Sequence, residues 1–448
     1  MEQEIRRRRI AFHNLGCKVN SYETEGMLQQ MTAEGYEAVP FGPGADIYVI
    51  NTCTVTNIAD RKSRQMLHRA KSMNPDALVV AVGCYAQVAG EDLRSDPAVD
   101  LVVGNDEKSR LPELIRAFES GCGEGVAVRD IAASRQFEEM PASGSGERTR
   151  AYLKIEDGCN QFCSYCLIPY ARGRVRSRSV ENTLAEARGL AREGYREIVL
   201  TGIHVASYGL DFPGDAGGRA SYGEPLAELI ERLAEIDGIR RIRLGSLEPR
   251  LITAPLAARL AAVDKLCPHF HLSLQSGSDT VLKRMNRHYD TAVFYEEMGI
   301  LREAFDRPAL TTDVITGFPG ETEEEFEETV RFLEKACFYE THVFRYSRRK
   351  GTAADAMPGQ IPERVKAQRS ARLLDLSRRN QQRFERGLLG LSREVLLEEP
   401  LPDRGAGWWT GHTSEYVKLA VCAPDASQGD FAAVTVEEEN LLVPKTEE

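Results

Sequence analysis

A chain of 448 residues, 42% hydrophobic and 28% charged, is too long for one ordinary core and reads as a water-compatible globular protein of two to four domains. Its formal charge of −11 argues weakly against nucleic acid as a partner, although net charge does not see local basic patches, and DNA is not expected. No segment approaches the ~18 unbroken apolar residues of a membrane span. The arginines Arg6–Arg9 lead into a stretch broken at once by His13 and Asn14, so a secretory signal is not expected and a cytoplasmic location is.

Through residues 8–140 short apolar runs alternate with helical patterns. Ile10–Leu15, Asp46–Asn51 and Leu78–Val82 read as strands, with Ser21–Glu34 and Thr56–Lys71 as helices between them. That alternation predicts a parallel α/β domain. The small-residue run Pro141–Glu147 reads as a linker. Residues 145–375 then repeat the strand–helix unit six times. Strands are expected at Ala151–Ile155, Glu197–Thr201, Ile239–Leu244, His269–Leu274, Leu310–Ile315 and His342–Tyr346, and helices at Glu181–Glu193, Pro225–Ile236 and Thr322–Ala336. Six units predict an open, partial (β/α)6 barrel whose active site lies at the C-terminal strand ends. A basic helix, Pro362–Arg386, leads into residues 376–446, where Val395–Leu397, Glu415–Ala420 and Phe431–Val436 read as strands of a small all-β barrel.

Ten cysteines stand in this chain, and in a reducing compartment the closely spaced ones read as metal ligands. Cys159, Cys163 and Cys166 follow the first barrel strand as C-x3-C-x2-C. Three thiolates on a cubane cluster leave one of its four irons open to chelate a substrate's amino and carboxylate groups. Zinc is the alternative, but zinc loops use paired C-x2-C units and no second pair lies nearby. Tyr165 is an aromatic able to pack on an adenine. Cys17, Cys53 and Cys84 each lie just past the C-terminal end of an expected N-terminal strand. Those ends share one sheet edge, where ligands bind, so these three read as a second cluster set. Cys122, Cys267, Cys337 and Cys422 show no such relation and read as ordinary cysteines.

These motifs carry a resemblance. Cys159–Cys166 resembles the radical S-adenosylmethionine (SAM) signature. Leu15–Asn20 (Leu-Gly-Cys-Lys-Val-Asn), Asn51–Thr56 (Asn-Thr-Cys-Thr-Val-Thr) and Gly83–Gln87 (Gly-Cys-Tyr-Ala-Gln) resemble the amino-terminal domain of the methylthiotransferases. The carboxy-terminal segment resembles a TRAM domain, a small RNA-binding barrel. The resemblance covers nearly the whole chain, and the first two cysteine fragments most resemble MtaB-type members of the family. It implies transfer of a methylthio group to N6-threonylcarbamoyladenosine at position 37 of the tRNA anticodon loop, two 4Fe-4S clusters, SAM, and an electron donor such as flavodoxin or ferredoxin. Cleavage of SAM at the Cys159/Cys163/Cys166 cluster would supply the radical that an unactivated C–H bond requires, and the second cluster would deliver sulfur.

If SAM binds, the strand ends offer Gly202, His204, Ser246, Glu248, Gln275 and Asp313 as contacts, and Gly202 permits close backbone approach. Arg172, Arg174, Arg176 and Arg178 alternate as on one side of an extended chain. With Arg372, Arg378, Arg379 and Arg383 of the basic helix, and near the Trp408–Trp409 pair, Arg172, Arg174 and Arg176 are expected to meet RNA phosphates. Other readings remain: isopentenyladenosine as the tRNA substrate, a radical SAM enzyme of another reaction class, or a non-catalytic zinc-bearing RNA-binding protein.

Overall fold

The structure, a computed structural model, describes residues 7–140, 149–213 and 222–442. The expected linker Pro141–Glu147 lies outside them.

Six parallel strands make the N-terminal sheet, in the order Glu37–Ala38, Arg9–Asn14, Ile47–Thr52, Leu78–Gly83, Leu101–Val103 and Val126–Ala127. Every residue of Ile47–Thr52 and Leu78–Gly83 is buried, because both faces of a parallel sheet are covered. The period of two divides the core. Tyr48, Ile50, Val79 and Ala81 pack on Leu67 and Ala70, while Val49, Val80 and Val82 pack on Met27, Met31 and Ile115. The helix Asn57–Met73 starts where expected because Thr56 accepts a hydrogen bond from the Ala59 amide (3.1 Å).

The central domain has six parallel strand positions. Arg150–Lys154, Glu197–Thr201 and Arg241–Leu244 pair in one sheet. After Gly245 the third continues as Ser246–Leu247 and pairs on to His269–Gln275, Ala309–Thr316 and Glu340–Arg345. Arg150–Lys154 and Glu340–Arg345 stand at the two ends of this order, so the barrel is open, as expected. The helix Glu363–Arg386 packs along the last strand, where Ser377 accepts from the Thr341 amide (2.9 Å). The expected domain boundary at 375/376 falls inside this helix.

Four antiparallel strands close the chain, ordered Lys418–Cys422, Trp408–His412, Ser392–Pro400 and Phe431–Thr435. This sheet sits against residues of the first, third and fourth barrel strands, at or near their N-terminal ends. Arg150 donates to the Tyr416 hydroxyl (2.9 Å), Arg241 to the His412 carbonyl (3.0 Å) and Arg243 to the Ser414 carbonyl (3.0 Å). The Tyr416 ring stacks on His412 with centroids 4.4 Å apart and leans on His269 at 5.1 Å. Arg150 and Arg243 lie over its face, and Phe431 lies under Arg240. The barrel floor is thus stoppered by the C-terminal domain.

Candidate active site

The loop bearing Cys159, Cys163 and Cys166 leaves the first strand through Gly158, at φ +83°, where a Cβ would lie 2.0 Å from the Arg174 carbonyl oxygen. No other residue fits there without moving the backbone. All three thiols are partly buried. Each sulfur already accepts a hydrogen bond: Cys159 from the Gln161 amide (3.5 Å), Cys166 from the Ile168 amide (3.4 Å) and Cys163 from Arg287 (3.1 Å). Burial, then the neighbouring Cys163, pushes the Cys166 thiol up to about 12. Thiols so placed ionise when a cation binds among them, so the donor set and its N–H···S bonds fit an iron–sulfur cluster.

The second set comes together as its strand positions require. Cys17 precedes the helix Lys18–Ala33, Cys53 follows Ile47–Thr52, and Cys84 opens the short helix Cys84–Val88. A Cβ on Gly16 would lie 3.1 Å from the Cys53 sulfur, so the Cys17 turn and Cys53 are in contact range. Cys84 accepts from Arg172 (3.1 Å) and Asn105 (3.6 Å). Burial raises Cys53 to about 11, with smaller upward pushes from Cys84 and Cys17. Cys84 also acts on Cys166, so the two thiol sets lie within electrostatic reach across the domain boundary. This donor set likewise fits a cluster.

Between the sets runs a buried ion network that the sequence reading misplaced. Arg172 and Arg176, expected on an RNA face, are 0% and 2% exposed. Arg172 ends a helix, Ile168–Arg172, turned by Gly173, while Arg176 is on an extended segment, Arg176–Ser177, that is buried by pairing with Glu156–Asp157 instead of facing solvent. Arg172 bonds to Glu23 (2.7 and 2.9 Å), Asp157 (3.1 Å) and Asn20 (2.7 Å). Lys108 (2.5 Å) and Lys154 (2.7 Å) complete the shell of Glu23. Burial alone would raise the Glu23 carboxyl; Arg172, Lys108 and Lys154 hold it well below the usual range. Arg176 sits 3.6 Å from Asp157. Arg178 is also buried, on Glu139 and Glu186, whereas Arg174 is exposed and caps the Phe162 ring.

At the strand ends Glu248 is the hub. It accepts from Gln161 (2.8 Å), Tyr222 (2.9 Å) and Arg250 (2.9 Å), and lies 3.2 Å from His204. Burial opposes its charge, but the His204 bond, His204's charge and Arg250 bring it down to about 2. His204 is fixed by Ser207 (2.5 Å) and by its amide on Glu156 (2.7 Å). Gly202 lies where a Cβ would meet that same Glu156 carboxylate at 2.7 Å, so its smallness serves this packing. Ser246 bonds to Ser273 (2.8 Å). Asp313 lies 3.2 Å from His271, whose ring stacks on His342. Tyr165, Cys166, Gln275 and Asp313 line a cavity of about 180 Å³ that reaches Thr54–Thr56 beside Cys53. Gln161, Tyr222, Arg250 and Arg287 were not anticipated; of these, Gln161 had a signal, lying inside the cysteine run.

The basic helix is partly neutralised. Arg372 pairs with Glu327, and Arg378 and Arg379 with Asp375, while Arg383 bonds to the Cys337 sulfur (3.5 Å); all four arginines are exposed.

An open barrel of six parallel strands, with three thiolates in the loop after its first strand, defines a radical SAM protein. The Radical SAM superfamily description matches residues 153–333, and that of Uncharacterized protein family UPF0004 matches residues 9–104. The chain is 41% identical to the threonylcarbamoyladenosine tRNA methylthiotransferase MtaB of Bacillus subtilis, over 95% of this chain and 93% of that protein. It is 36% identical to a tRNA-2-methylthio-N(6)-dimethylallyladenosine synthase of Jannaschia sp., over 94% and 90%. The solved radical SAM methyltransferase TsrM of Kitasatospora setae shares the fold at TM-score 0.56, with 15% identity over 78% of this chain and 77% of that one. The chain belongs to the radical SAM methylthiotransferase family, where its MtaB relatives span 35–41% identity.

Proposed function

We propose that this chain is a tRNA methylthiotransferase that converts N6-threonylcarbamoyladenosine at position 37 to its 2-methylthio form. The observation that carries the reading is the approach of two three-thiol sets to within electrostatic reach of each other, in a chain 41% identical to an enzyme named for that substrate. The cofactors are two 4Fe-4S clusters and SAM, which when bound supply the one-electron chemistry that an unactivated adenine C–H bond needs. Cys159, Cys163 and Cys166 would hold one cluster, and Cys17, Cys53 and Cys84 the other.

The remaining residues bind and orient. Glu248, ionised and fixed by Gln161, Tyr222 and Arg250, is the acceptor for the SAM amino group or ribose. His204, Ser246, Gln275 and Asp313 complete that wall, and Tyr165 offers its ring to the adenine. Arg287, on Cys163, holds a positive charge beside the thiolates. Exposed Arg174, Arg372, Arg378, Arg379 and Arg383 serve the tRNA backbone, and a flavodoxin- or ferredoxin-like donor supplies electrons in the cytoplasm. No helix of the described residues is long and apolar enough to cross a membrane.

The test is direct. Protein loaded anaerobically should carry about eight irons per chain. It should add a methylthio group to transcripts bearing N6-threonylcarbamoyladenosine and leave dimethylallyladenosine transcripts unmodified. Modification of the dimethylallyl transcripts alone would move the chain to the sister activity.

A further inference from the structure

The cavity lined by Cys166 and by Thr54–Thr56 has walls of unequal chemistry. It is lined by Thr54–Thr56, which follow Cys53, by Tyr165–Ile168 of the cysteine loop, and by Phe344–Ser347 at the end of the last barrel strand. Two large apolar side chains are held out at this cavity, Val55 at 57% and Phe344 at 45% exposure. Both present apolar surface of the kind a flat heteroaromatic ring packs on.

Several of the wall's polar groups are already engaged. Thr54 bonds to Asp60 (2.8 Å) and accepts from Arg349 (2.6 Å). The Thr56 hydroxyl caps a helix, and Ser347 accepts from the Asn57 amide (3.0 Å). Asp313 has His271 as partner. Nearby, Arg348 is paired with Asp355 and Arg349 with Asp60, both outside the cavity wall. Arg345 differs. It ends the last barrel strand, is exposed, lines the cavity, and makes no ion pair or side-chain hydrogen bond among the described residues. It is the cavity's one cationic side chain among them.

We propose that Arg345 reads the carboxylate of the threonylcarbamoyl group on the target adenine and so sets substrate choice; this rests on the threonylcarbamoyladenosine reading above. A guanidinium fork matches a carboxylate with two parallel hydrogen bonds, at an angle a lysine cannot reproduce. A dimethylallyl group has no charge to offer. Its entry would desolvate Arg345 without replacement, which selects against it as well as for the acid. Val55 and Phe344 hold the ring, and Arg345 reads the substituent.

Binding measures this without turnover. Cluster-loaded protein with SAM is titrated with labelled anticodon stem-loops carrying either threonylcarbamoyladenosine or the same nucleoside with its carboxylate converted to the primary amide. The unaltered protein should prefer the acid by roughly ten- to a hundredfold, the scale of a charge-assisted contact. Arg345→Gln should bring the ratio close to one, and Arg345→Lys should retain part of the preference. A full preference in Arg345→Gln would overturn the assignment while leaving the substrate reading intact. So would an unaltered protein that methylthiolates the acid yet binds acid and amide equally. Failure of the unaltered protein to modify threonylcarbamoyladenosine RNA, with dimethylallyl RNA modified, would overturn both.

Discussion

Cys159, Cys163 and Cys166 share one loop, whereas Cys17, Cys53 and Cys84 are carried in by three strands. The first set is brought together by eight residues of chain and a glycine. The second exists because Asn14, Asn51 and Val82 are neighbours across the sheet, so that chain positions three, two and two residues further on converge. A slip of one residue between these strands would exchange their two buried faces and scatter the thiols at once. One site is therefore a property of a loop, and the other of a domain's register.

The largest way to break the comparison is to remove each set. Cys159, Cys163 and Cys166 changed together to Ala should cost about half the iron and abolish SAM cleavage. The same change at Cys17, Cys53 and Cys84 should also cost about half the iron but leave SAM cleavage measurable. Iron and sulfide analysis with a reductive cleavage assay reads both, and full iron in the second variant would remove those thiols from the ligand set. Next in size is Arg172→Met. It strips a buried guanidinium from Glu23 and Asp157, so a loss of about 3–5 kcal/mol is expected in denaturant titration. Cys84 loses the nearer of its two donors in the same variant, and iron should fall first from the N-terminal set.

The finest test uses a matched pair of glycines. Gly83, at φ +96°, would place a Cβ 2.4 Å from the Asn51 side-chain oxygen and 2.6 Å from the Thr52 carbonyl. Gly83→Ala should cost about 1–3 kcal/mol and weaken the N-terminal set alone. Gly158→Ala should shift Cys159 and reduce SAM cleavage instead. Equal effects of both on both sets would mean that the two sites are not separable.

The sequence disclosed the parts that depend on local pattern. Apolar runs ending at Asn51 and Val82, and six strand–helix units, are visible without a structure, and strand ends then locate the thiols. Trp408–His412 went unread because Gly411 interrupts it. The glycine is there since a Cβ would lie 2.0 Å from the Leu396 carbonyl, an approach set by the partner strand. The arginines failed for the same reason on a larger scale. Arg172 and Arg174 look alike in sequence, yet one finds Glu23, nearly 150 positions away, and the other finds solvent. Glu248 was legible as a strand-end carboxylate, but its four partners come from four separate segments.

The stopper at the barrel floor has a mechanical consequence. Tyr416, wedged among His412, His269 and two arginines, leaves the C-terminal sheet bolted to the strands rather than hung from a tether. An RNA stem gripped by that sheet would be gauged against the strand tops as by a caliper with fixed jaws. Reach along the stem would then help decide which nucleotide arrives at the cavity, and stem length would become a criterion of selection alongside the base.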